Sequence, residues 1–136
     1  MSEAADWLRF AAEDLQVAEW ALSAGIYNQT CFHAQQCVEK TLKAWLLHNG
    51  LPTPRVHQMS VLLGLAPRPL PFSNEVEEGI ISLDRFYIPT RYPDALPGSL
   101  SEGMPGSGDA TEALTLAQQV LAALRTVIEV ARSGGT

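Results

Sequence analysis

Three histidines, His33, His48 and His57, and a helix-spaced row of polar side chains are the groups in this chain that could move protons or hold anions. Imidazole changes charge near neutrality, which suits it to general acid or base work. Lysine and arginine hold phosphates, arginine through a planar fork of donors. The densest set lies in FHAQQCVEKTLKAW, residues 32–45. Positions three, four and seven apart share a helix face, so His33, Gln36, Lys40 and Lys43 form one stripe. Cys31, Ala34, Val38, Leu42 and Trp45 form another, which can pack a core.

Two readings of the polar stripe follow. In the first, Asp14 on a preceding antiparallel helix pairs with Lys40, and Asp14, His33, Gln36 and Lys40 make a structural network, because buried polar groups must find partners. In the second, Lys40 and Lys43 contact an anion directly. Glu39, four residues before Lys43, sits at the spacing of an exposed ion pair of about 0.2–0.5 kcal/mol.

A second set lies further along. His57 follows Arg55 at the entrance to a short helix and either supplies acid–base chemistry or hydrogen-bonds the local turn. In Arg91-Tyr92-Pro93-Asp94, the proline biases Tyr92 toward extended backbone. Arg91 could then hold a phosphate and Tyr92 stack on a base; alternatively, Tyr87, Tyr92 and Asp94 pin a loop to the body of the protein. The three histidines lack metal-ligand spacing, and HExxH, paired CxxC, GxSxG and a phosphate-cradling glycine loop are missing, so neither metal nor cofactor is expected.

The elements that would position these groups are all helical. Ser2 can cap a first helix from Glu3, whose Trp7, Phe10, Ala11, Leu15, Ala18, Ala21 and Leu22 recur at helical steps until Gly25. A second runs from about Tyr27 to Asn49 and stops at Gly50, Pro52 and Pro54. A short helix over about 58–65 would bury Met59, Leu62, Leu63 and Leu65. After the stiff segment 66–71, Ser73 caps a helix from Asn74 to about Tyr87, with Val76, Ile80, Leu83 and Phe86 or Tyr87 inward. Residues 89–108, rich in Pro and Gly, read as one long loop. A last helix is capped by Asp109, with Glu112 completing a capping box, and carries an apolar stripe from Ala113 to Ile128. The expected fold is all-α, an antiparallel bundle of four to five helices in a single domain over 1–136.

Composition limits the partners. A net charge of −6 opposes a general nucleic-acid coat. Five of the nine Lys and Arg nevertheless fall at Lys40, Lys43, Arg55, Arg85 and Arg91, a basic middle on an acidic body. Cys31 and Cys37 would be about 9 Å apart along one helix, too far for a bridge, and read as reduced core residues. With no signal peptide, transmembrane run or lipidation motif read, a cytoplasmic protein without membrane contact is expected.

The order AAEDLQVAEWAL, YNQTCFHAQQCVEKTLKAWLLHNG, RVHQMSVLL, FYIPTRYPDA and DATEALTLAQQVL resembles the HEPN domain family from about Asp6 to Arg132. The resemblance implies a bundle of four to five helices, commonly a homodimer, with a polar cleft linked to nucleotide or RNA binding. It also implies, as partner, a minimal nucleotidyltransferase in a toxin–antitoxin pair. The family's active toxins are metal-independent ribonucleases marked by Arg followed four to six residues later by His. If Arg91 is that arginine, no His follows it, or appears anywhere after His57. The expectation is a binding module with Lys40, Lys43, His57, Arg91 and Tyr92 as contacts. The alternatives are a ribonuclease with His57 displaced into the missing role beside Arg91, and a purely structural dimerisation module using the last helix with Trp7 and Trp20.

Overall fold

The structure, a computed structural model, describes residues 3–87 and 104–134. Helices α1 (Glu3–Ser23), α2 (Tyr27–His48), α3 (Met59–Leu65), α4 (Asn74–Ser82) and α5 (Ser107–Gly134) follow in order, and a single 3-10 turn at Leu83–Phe86 continues α4. There is no strand among the described residues. The fold is an all-helical bundle, as the sequence predicts.

Both long-helix ends are set by glycine. Gly25, at φ 74°, donates to Leu22 while Ile26 donates to Ala21; Gly50, at φ 78°, donates to Leu47 while Leu51 donates to Leu46. These paired bonds close the last carbonyls of each helix and need a left-handed residue, which costs glycine nothing. The first turn is so short that α2 folds back along α1. At α4, the Ser73 hydroxyl accepts from Val76 N at 3.3 Å.

α2 is the central helix, packed against α1, α3, the 3-10 turn and α5. Its Cys31, Ala34, Cys37, Val38, Leu42 and Leu46 meet Leu8 and Ala11 of α1, Met59 and Leu62 of α3, and Val120, Leu121 and Leu124 of α5 in one buried cluster. Enclosure on several sides explains why α2 also buries Thr30, Gln35, Glu39, Thr41 and Lys43. Among the described residues, every buried side-chain N or O has a hydrogen-bond partner.

Several local expectations change. Phe10 is 43% exposed and Leu65 49%, because each sits at the edge of its helix's apolar stripe rather than at its centre. Trp20 is 65% exposed, whereas Trp7 is partly buried against the core. Helix α5 starts two residues before Asp109, which is therefore inside the first turn; its carboxylate reaches back to accept from Gly106 N at 3.3 Å. By length and composition α5 is apolar enough to cross a membrane, although no such run is read in the sequence. Its Ala113, Ala117, Leu121, Leu124 and Ile128 are buried inside the bundle. The Ser2 cap and most of the expected 89–108 loop lie outside the described residues.

Candidate functional site

The polar residues of α2 divide into two networks on different sides of the helix. The antiparallel α1–α2 pair brings Asp14, only 8% exposed, against α2. Its Oδ1 lies 2.8 Å from His33 Nδ1, and its Oδ2 accepts from Lys40 Nζ at 2.5 Å. One carboxylate thus holds two side chains seven residues apart, two turns of one face. Gln36, between them in sequence, does not join; its Nε2 donates to Gln35 Oε1 at 2.7 Å.

That bond leads into the second network. Gln35, Glu39 and Lys43 are spaced four apart and buried. Gln35 Nε2 donates weakly to Glu39 Oε1 at 3.4 Å, and Lys43 Nζ donates to Glu39 Oε2 at 3.0 Å. Lys43 also lies 5.5 Å from the centre of the Trp7 ring. The Glu39–Lys43 pair is therefore enclosed and not on the surface, with side chains only 4% and 7% exposed.

His57 completes this network from outside the helix. Its Nδ1 is 3.0 Å from each Glu39 oxygen, and its side chain stays 50% exposed. An ionised carboxylate only accepts, so Nδ1 carries a proton and a neutral ring keeps its lone pair on Nε2. Pairing of this kind holds an imidazole in one orientation and one tautomer. The backbone that carries His57 is itself fixed. Two residues on, the Met59 N–H that opens α3 donates to Asp84 Oδ1 at 2.8 Å, replacing a cap that Gln58 does not supply. Burial pushes the Asp84 carboxyl above its ordinary value, opposed by backbone N–H bonds from Met59 and Ser60.

Aromatic rings join the two networks. His57 stacks on Tyr87, centres 4.7 Å apart and planes 18° apart. Tyr87 lies 6.3 Å from Phe32, which meets His33 in a T-shaped contact with centres 5.1 Å apart. The row His33, Phe32, Tyr87, His57 thus runs from the Asp14 network to the Glu39 network.

Other cationic and histidine groups are placed elsewhere. His48 stacks on Trp45 at 5.6 Å. Arg55 is exposed. Arg85 covers the Phe86 ring at 4.5 Å and approaches Asp109 at 3.7 Å, at the edge of a half-open cavity of about 620 Å³ between α4 and the start of α5. Among the described residues, none of the site residues named from the sequence lines that cavity. Arg91 and Tyr92 lie outside the described residues. Among the described residues, no three His, Cys, Asp or Glu side chains converge to hold a metal.

Gln35 and Asp84, Tyr87 as the stacking partner of His57, and Glu39 as the hub of a network, are the parts that sequence reasoning did not single out. The four-residue spacing of Gln35, Glu39 and Lys43 was a signal for part of this set. Nothing local in the sequence marks Asp84 as a cap for α3, 25 residues earlier.

A family model described as HEPN domain matches residues 4–127. A protein of Methanocaldococcus jannaschii named "Putative toxin MJ1304" is 29% identical over 142 aligned positions, covering 90% of this chain and 86% of that one. The crystal structure of TT1696 from Thermus thermophilus superimposes with a TM-score of 0.79 at 37% identity, over 93% of this chain and 98% of that one. The crystal structure of ST0689, an archaeal HEPN homologue, gives 0.72 at 32% identity, over 94% and 99%.

Proposed function

The chain belongs to the HEPN domain family, and on that premise we propose that it is the HEPN component of a toxin–antitoxin-type system in the cytoplasm. In this reading it binds nucleotide or RNA as a homodimer and works with a minimal nucleotidyltransferase. The similarity to a protein named as a toxin supports the system type.

The observation that carries the binding site is His57, half exposed and held through Nδ1 by buried Glu39. Lys40 and Lys43 already pair with Asp14 and Glu39, and Lys43 is enclosed, so their charge is largely balanced by those carboxylates. They serve the site as its charged inner wall. His57 is the contact residue, and Arg91 and Tyr92 are proposed to complete it.

The Glu39–His57 pair also favours a second reading, metal-independent ribonuclease activity. Cleavage by transesterification needs a base for the 2′-hydroxyl and an acid for the leaving oxygen. A tautomer that leaves the lone pair on Nε2 suits the first task, and Arg91 would stabilise the phosphate. Incubating the purified protein with total RNA separates the readings. Intact RNA, with a rise in melting temperature on adding RNA, supports binding alone. Cleavage abolished by Arg91→Ala or His57→Ala overturns it in favour of the ribonuclease.

A further inference from the structure

The ring row that ends at His57 has one property that the proposed function leaves unused. Tyr87 stacks on His57 at 4.7 Å and lies 6.3 Å from Phe32. His57, at the end of the row, has a side chain 50% exposed. Its in-plane edge is gripped by both oxygens of a carboxylate that is itself buried. A ring fixed by its edge, with one face on Tyr87, leaves its other face for contact and loses little freedom when something stacks on it.

We propose that the outer face of His57 is a stacking platform for an unpaired nucleobase, extending the His57–Tyr87 stack by one ring. The inference rests on the nucleotide- or RNA-binding reading and narrows its ligand to bases that are not in a duplex. Every base has a π-face, so stacking tolerates sequence, and bases inside a duplex offer no face to a side chain. Lys43 pairs with Glu39 and so offsets the charge of the carboxylate at the edge of the platform, which lessens its repulsion of the phosphate attached to the base. The same chemistry could come from a single strand or from a free mononucleotide, and the two are distinguished by competition.

The measurement is fluorescence anisotropy with a labelled mixed-sequence RNA strand of about twelve nucleotides. It is repeated with the same strand in a duplex and with abasic sites, and with AMP, GMP, CMP and UMP as competitors. His57→Phe keeps a ring and loses the Glu39 bond; His57→Leu and His57→Ala lose the ring. All three leave Glu39 its Lys43 and Gln35 partners, and circular dichroism checks each fold. The expected result is a single strand bound at least about tenfold tighter than duplex, retained within about threefold by His57→Phe, and weakened at least about tenfold by His57→Leu, His57→Ala or abasic sites. Competition by mononucleotides at the strand's own affinity assigns the site to a single nucleotide; poor competition assigns it to a strand. Equal binding of duplex, or a His57→Phe loss as large as that of His57→Leu, overturns the stacking inference and leaves RNA binding standing. No binding of any of these ligands by the unaltered protein overturns both.

Discussion

The buried pair Glu39 and Lys43 makes a quantitative test of the architecture beneath His57. Their side chains are 4% and 7% exposed, and Nζ and Oε2 are 3.0 Å apart. Glu39→Leu strands an ammonium group above Trp7 and removes the acceptor for Gln35 and His57. Breaking one side of a buried pair costs about 3–5 kcal/mol. Lys43→Met should fall at the lower end, about 3 kcal/mol, because Gln35 and half-exposed His57 still donate to the carboxylate. The double variant Glu39→Leu/Lys43→Met removes both desolvation penalties and should return to within about 1–2 kcal/mol of the starting protein. For a chain of this size each kcal/mol moves the melting temperature by about 3–5 °C. The single variants should therefore melt roughly 9–25 °C lower, and the double variant far closer to the original. Urea unfolding gives the same cycle as free energies. Single losses below about 1 kcal/mol, the size of a surface pair, or a double loss equal to the sum of the singles, would refute the reasoning.

Other consequences are smaller. Asp14→Ala leaves Lys40 and His33 without their shared acceptor and should cost about 1–3 kcal/mol in urea unfolding; no measurable loss would mean the two are well solvated without it. Burial raises the Asp84 carboxyl pKa, so its contribution is fully present below the ordinary value and is lost as pH rises through the raised one. Asp84→Asn, which keeps an acceptor for Met59 N–H, should flatten that part of the stability–pH curve, and Asp84→Ala should flatten it equally while lying about 1 kcal/mol below Asp84→Asn at every pH, because it also loses the cap. An unchanged curve in Asp84→Asn would count against the burial argument. Burial pushes the Cys31 and Cys37 thiols up to about 12, so iodoacetamide at pH 8 should modify neither before unfolding. Modification of the folded protein would contradict that packing.

What the sequence revealed depended on how each helix is enclosed. α1 and α5 each bury one stripe, and their period gave the buried Ala11, Ala18, Ala117, Leu121 and Leu124 directly. Asp14 and Lys40 could be linked because a three-residue turn leaves α2 nowhere to run but back along α1. α2 resisted the same logic. A helix covered on several sides has no single polar face, so one angular step decided that Gln35 is buried and that Gln36 bonds to it rather than to Asp14. The same enclosure turned an ion pair that reads as exposed into a buried one. Asp84 capping α3 and Tyr87 stacking on His57 join distant parts of the chain. Contacts of that kind are decided by tertiary packing, which no local pattern encodes. Arg91 and Tyr92, legible in the sequence as a motif, fall outside the described residues.

The central claim, a HEPN protein that binds nucleotide or RNA, is most directly tested by melting the purified protein with and without single-stranded RNA and mononucleotides. A ligand that binds only the folded state stabilises it by about 2.7 kcal/mol at a hundredfold excess over Kd. The account predicts a rise of roughly 10 °C for the unaltered protein, largely lost in His57→Ala. A melting temperature that no nucleotide or RNA moves would contradict it.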